Sequence, residues 1–159
     1  MGIRTSVIAG FAALSLYASQ AVADICSDPQ DQVAVRAKTL QTELMVAALR
    51  CDGNQRYNAF VRKFESDLVV QGGQLKSYFS RAYGVDSERR LNQFVTYIAN
   101  SASLRSISMG KGYCTSANAL FTTVMDRAPG ELAAYAATQR VDIASEAPAC
   151  QRVAALIER

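Results

Sequence analysis

The apolar residues of this chain recur every three or four positions, and that spacing constrains the fold more than any other feature. From Val33 a stripe runs through Ala37, Leu40, Leu44, Ala47 and Ala48 to Cys51, which is one face of a 3.6-residue helix. Ser27-Asp28-Pro29 supplies a start, with a polar cap residue followed by proline at the first helical position. Asp52-Gly53 supplies the stop. The spacing therefore predicts a first helix over 29–51.

Further stripes follow the same rule. A second helix is expected with Asn54 as its cap, Tyr57, Phe60, Val61, Phe64 and Leu68 on its inner face and a break at Gly72-Gly73. A short third one carries Leu75, Tyr78, Phe79 and Ala82 and stops before Gly84. A fourth, capped by Asp86 or Ser87, buries Leu91, Phe94, Val95, Ile98 and Ala102 and ends near Ser108. Residues 109–112, with two glycines, read as a flexible connection. Cys114, Ala117, Leu120, Phe121, Val124 and Ala128 make a fifth stripe, and Pro129-Gly130 opens a sixth, alanine-rich helix through about Gln139. A last short helix is expected over Val153 to Ile157. The one dense cluster of β-formers, Leu68-Val69-Val70, closes a helical stripe and is stopped by two glycines. The fold class that results is all-α, a compact bundle of five or six short amphipathic helices.

The first 23 residues read as a secretory leader. Arg4 gives a short positive region, Val7 to Tyr17 is apolar, and Ala21-Val22-Ala23 fits the small-residue cleavage rule. Ser19-Gln20 ends the apolar run well short of the roughly 20 residues that a membrane span needs. The expected organisation is a signal peptide over 1–23 and a single helical domain over 24–159, exported to the periplasm or the extracellular space, with no transmembrane span after cleavage. Removing 23 of 159 residues leaves 136, enough for one real hydrophobic core. The mature chain keeps 16 basic and 14 acidic residues, a balance of +2 that favours no class of partner.

Four cysteines, Cys26, Cys51, Cys114 and Cys150, all lie beyond the leader, and an even count in an exported chain is most simply two disulfides. Cys26 and Cys51 bracket the first helix, whose rise separates its ends by about 34 Å, against a limit of about 7 Å between bridged Cα atoms. That pairing is excluded. Cys51 and Cys114 each continue an apolar stripe at a helix end, whereas Cys26 and Cys150 lie outside the regular helices. The reading assigns Cys51 with Cys114 and Cys26 with Cys150, in preference to the crossed pairing of Cys26 with Cys114 and Cys51 with Cys150.

The chemistry is bounded by what is absent from the sequence. It has no histidine and no closely spaced cysteine pair, so neither a zinc site nor a Ser-His or Cys-His couple is expected, and no metal or cofactor is assigned. Lys76-Ser77 and Ser108 with Lys111 are the nearest approach to a serine–lysine arrangement, and the glycines at 110 and 112 match no phosphate loop. Glu65 and Asp67 stand two apart on a helix, about 200° around its axis, and cannot face one substrate together. Arg62 and Lys63 are their expected ion-pair partners. Glu43 is left to meet a carboxylate from another helix.

Residues 36–90 hold ten basic side chains against six acidic ones, and residues 113–159 hold four against five. A basic side made by Arg56, Arg62, Lys63, Arg89 and Arg90 is the candidate surface for an anionic partner. Periodicity puts Tyr57, Phe60 and Phe64 on a face away from Arg56, Arg62 and Lys63, which disfavours nucleic acid, since stacking needs aromatic and basic groups together. The expected function is a small exported helical protein that binds or modulates another envelope component without catalysis. The alternatives are a carboxylate-dependent envelope hydrolase and a peripheral binder of an anionic membrane or polysaccharide surface.

Overall fold

A computed structural model describes residues 28–139, and among these the regular structure is entirely helical. The helices are α1 (Pro29–Arg50), α2 (Asn54–Lys63), α3 (Glu65–Tyr83), α4 (Ser87–Met109), α5 (Lys111–Met125) and α6 (Leu132–Thr138), with one 3-10 turn over Gly84–Asp86. The expected leader, the final short helix and the pairing of Cys26 with Cys150 lie outside the described residues.

α1 begins where its cap residue can accept a backbone proton. The Asp28 carboxylate takes the Gln30 amide at 2.8 Å, and Pro29 fills the first turn, where its missing amide costs nothing. The helix then packs against each of the other five. That central position explains why its buried set, including Ala34, Val35, Thr39, Thr42 and Leu44, goes well round the cylinder instead of following one stripe. Thr39 and Thr42 satisfy their buried hydroxyls by donating to the carbonyls of Val35 and Lys38, each at 2.9 Å.

At the Asp52-Gly53 turn the unusual backbone falls on Asp52, with φ of 55°. Gly53 serves a different purpose. A Cβ there would lie 3.3 Å from the Ala48 Cα, so the glycine lets the chain fold back tightly onto α1. Gly53, not Asn54, holds the cap position of α2.

The expected break at Gly72-Gly73 is not there, because both glycines lie inside α3. The interruption comes at Phe64, which leaves helical geometry at φ −110° and ψ 23°. Two helical glycines cost roughly 1 kcal/mol each, and burial of Leu75, Tyr78 and Phe79 on the turns that follow offsets this. The kink at Phe64 lets Phe60 and Phe64 point into one part of the core while Leu75, Tyr78 and Phe79 fill another. The 109–112 connection is also shorter than expected. Gly110 alone, at φ 53° and ψ −127°, turns the chain, and α5 starts at Lys111.

The core divides into two clusters joined along α1. The first gathers Leu40, Leu44, Phe60, Phe64, Phe121 and Leu132 with their neighbours. The second gathers Ala34, Val35, Leu75, Phe79, Phe94 and Ile98. A disulfide between Cys51 and Cys114, with Cα atoms 5.7 Å apart, ties the end of α1 to the start of α5 beside the first cluster. No helix among the described residues is long and apolar enough to cross a membrane.

Candidate functional site

Three carboxylates, the buried Asp31 and Asp67 and the half-buried Glu43, are each committed to donors. Asp31, with a side chain 2% exposed, receives Arg81 on both oxygens at 2.7 Å and Gln74 at 2.9 Å. Glu43 receives Arg105 on Oε2 and the Tyr113 hydroxyl on Oε1, the latter at 2.9 Å. Burial, with the negative charge of Glu43 next in importance, pushes the Tyr113 phenol above its ordinary value. Asp67 accepts the backbone amides of Gly130 and Leu132. These groups pin helices together. Glu43 therefore meets a cation and a phenol, and the rise along α1 sets it about 18 Å from Asp31.

The expected basic surface resolves into separate parts. Arg56 is exposed, donates to Asn118 Oδ1 at 2.6 Å and covers the Phe121 ring. Lys63 does not reach back to Asp67. Its ammonium donates instead to the Met125 carbonyl at 2.6 Å, where the last turn of α5 leaves that oxygen without a helical partner. Arg62 is exposed on the same helix, whose Phe60 belongs to the first core cluster. Arg89 and Arg90 begin α4, near the second cluster; Arg89 pairs with Asp86 at 2.9 Å and Arg90 stacks over the Tyr83 ring. The hydrogen bond from Arg89 holds the Asp86 carboxyl below its ordinary value.

One concavity lies where the two core clusters meet, between α1, α3 and α4. It is a cavity of about 330 Å³ floored by Ala34, Ala37, Leu68, Leu75, Leu91 and Val95. Its polar lining is Lys38, Gln41, Gln71, Lys76 and Asn92, and none of the described residues lining it is acidic. Gly72 forms part of the wall, and a Cβ at that position would meet nothing within 4 Å. The helix therefore does not need glycine there for packing. A second hollow of about 340 Å³ shares Lys76, Leu91 and Asn92 and continues along α3 and α4 to Glu88.

Lys38 is half-buried beside this space, and its ammonium donates to Gln41 Oε1 at 3.1 Å. Burial lowers its pKa below the ordinary lysine value. Gln41 in turn hydrogen-bonds Tyr57, whose phenol burial holds above its ordinary value. Of the residues considered for serine–lysine chemistry, Lys76 lines the cavity, Ser77 is exposed, and Ser108 donates to the Arg105 carbonyl at 3.1 Å. No group of three or more histidine, cysteine, aspartate or glutamate residues among the described residues is placed to hold a metal ion.

Lys38, Gln41, Gln71 and Asn92 are not legible as site residues in the sequence. One signal was present, since Ala34, Lys38 and Gln41 follow at helical spacing beside the apolar stripe, opposite a glycine pair that a helix would otherwise avoid. No protein-family model, curated protein or solved structure matches this chain. Fold and site together define an all-α, disulfide-bridged bundle with a small, apolar-floored and cationic cleft.

Proposed function

We propose that the chain is a small exported helical protein that binds or modulates another envelope component without acting on it chemically. The observation that carries this reading is the cleft between α1, α3 and α4, which offers an apolar floor and two lysines to a bound group. The leader-like segment over 1–23 and the cysteine content support export, and a second disulfide between Cys26 and Cys150 belongs to the same proposal. The exposed Arg56 and Arg62 on α2 are further cationic groups open to an anionic component.

The test is capture from an envelope extract on immobilised chain, followed by mass spectrometry of what is retained. The reading expects a component held in stoichiometric amount and recovered chemically unchanged, with the captured chain itself beginning at Asp24 when isolated from its own host. Recovery of the component in cleaved form would overturn the non-catalytic reading in favour of a hydrolase.

A further inference from the structure

We propose that the cleft where the two core clusters meet is a site for a small single-headed anion with an apolar body, its charge met by Lys38 and its body laid on Leu68, Leu75, Leu91 and Val95. This deepens the binding-module reading and rests on it.

The sign of the charge follows from the lining. Lys38 loses hydration on entering the wall, and its ammonium receives in return the neutral oxygen of Gln41. None of the ion pairs among the described residues involves Lys38: these join Arg81 to Asp31, Arg89 to Asp86 and Arg105 to Glu43. A half-buried ammonium with no carboxylate partner among the described residues is costly, and burial lowers its pKa in keeping with that cost. An arriving anion removes it. A cation would add to it, and a neutral apolar molecule would bury the ammonium further without answering its charge.

Size and charge distribution narrow the ligand further. A volume of about 330 Å³ stands at the small end of ligand pockets, and at about 30 Å³ per water-sized group it holds roughly ten heavy atoms. A body of that size can be enclosed there, whereas a peptide helix cannot. The adjoining hollow ends on Glu88, so a polyanion running the length of the groove would meet a like charge. One anionic head at Lys38, which that hollow does not share, with a short apolar body, satisfies both limits.

Gly72 gives a way to test the same site. Alanine there would favour the helix by roughly 1 kcal/mol and would clash with nothing, so neither packing nor backbone geometry asks for glycine. Its backbone forms part of the cavity wall. Any side chain there adds volume to that wall, and a large one fills the space the ligand needs.

The experiment is calorimetric titration of the full chain with octanoate, octyl phosphate, octanol, octylamine and inorganic phosphate at concentrations up to millimolar. Octanoate or octyl phosphate should bind at least tenfold more tightly than octanol, octylamine or phosphate, and the tighter of the two tells a carboxylate source from a phosphate source. Lys38→Met should lose at least tenfold in anion affinity without lowering the melting temperature, because it removes a desolvated charge. Gly72→Leu should lose binding while Gly72→Ala keeps the fold and is no less stable. Equal binding of octanol and octanoate, full affinity in Lys38→Met, or no binding of either anion would each overturn the proposal. If all anion probes fail while envelope capture persists, the cleft assignment falls and the module reading stands. If an anion binds but a captured component is found cleaved, the module reading falls and the cleft assignment stands.

Discussion

Asp67 on α3 holds the turn before α6 by its backbone: its Oδ2 accepts the Gly130 amide at 2.9 Å and its Oδ1 the Leu132 amide at 3.3 Å. One carboxylate from a distant helix thus caps the start of a seven-residue helix that has no side-chain cap of its own. Asp67→Ala strands two amides, one of them buried. It should cost about 2 kcal/mol in urea unfolding, and Asp67→Asn less, because the amide oxygen keeps one acceptor. Unchanged stability in the alanine variant would show that solvent or another group satisfies the turn.

Asp31 and Arg81 form a pair with unequal surroundings, the carboxylate side chain 2% exposed and the guanidinium side chain 51%. Removing the arginine leaves a buried charge with Gln74 alone, whereas removing the aspartate leaves a cation that water reaches. Arg81→Met should therefore destabilise more than Asp31→Leu, and the double variant should recover part of the loss. Equal single-variant effects with simple additivity would contradict that asymmetry.

The Cys51–Cys114 bridge closes a sequence separation of 63 residues, for which chain entropy assigns about 4 kcal/mol. Cys51→Ser with Cys114→Ser should lower stability by up to that amount and leave far-ultraviolet dichroism helical, since the burial of Phe60, Phe64 and Phe121 does not depend on the bond. A chain unfolded at ambient temperature after the double change would mean that the first core cluster is weaker than its burial indicates.

Alkaline pH should unfold the bundle. In the unfolded chain Tyr113 ionises near its ordinary value of 10.0, while in the fold burial and Glu43 hold its pKa higher. The folded state then keeps a proton that the unfolded state has lost. The stability tied to this group is complete below 10.0 and is lost as pH rises toward the raised folded value. Tyr57 and Tyr135, both raised by burial, act in the same direction. Lys38, whose pKa is lowered, acts in the opposite one below its ordinary 10.5. Denaturation midpoints taken either side of pH 10 should fall with rising pH, and less steeply in Tyr113→Phe. A midpoint that climbs across that range would contradict the burial of the phenols.

Arg62 and Lys63 are neighbours in sequence with different roles. Lys63 binds the Met125 carbonyl at the end of α5, whereas Arg62 is exposed. Arg62→Glu should change stability by less than about 0.5 kcal/mol, and Lys63→Glu should cost about 1 kcal/mol or more by placing an acid at a helix C-terminus. Equal thermal melts for the two variants would mean the Lys63 contact contributes nothing.

By itself the sequence determined the helical class and most element positions, because an apolar stripe of period 3.6 admits no other regular structure and proline, glycine and aspartate mark its ends. Pro29, Gly84 and Gly110 act locally, and their effects were legible for that reason. It also placed Cys51 and Cys114 on inward faces. Tertiary structure alone decided whether Gly72-Gly73 would break a helix, since the cost of two glycines is local while the compensating burial of Tyr78 and Phe79 against α1 and α4 is not. The same holds for the charges: Lys63 could be matched to Asp67 by spacing, yet each found a better partner across the bundle, a carbonyl and two amides left over at helix ends. The cleft was the least legible feature of all. It is the gap left where two core clusters share α1, and only the packing of α3 and α4 on that helix brings Lys38, Lys76 and Gly72 to its walls.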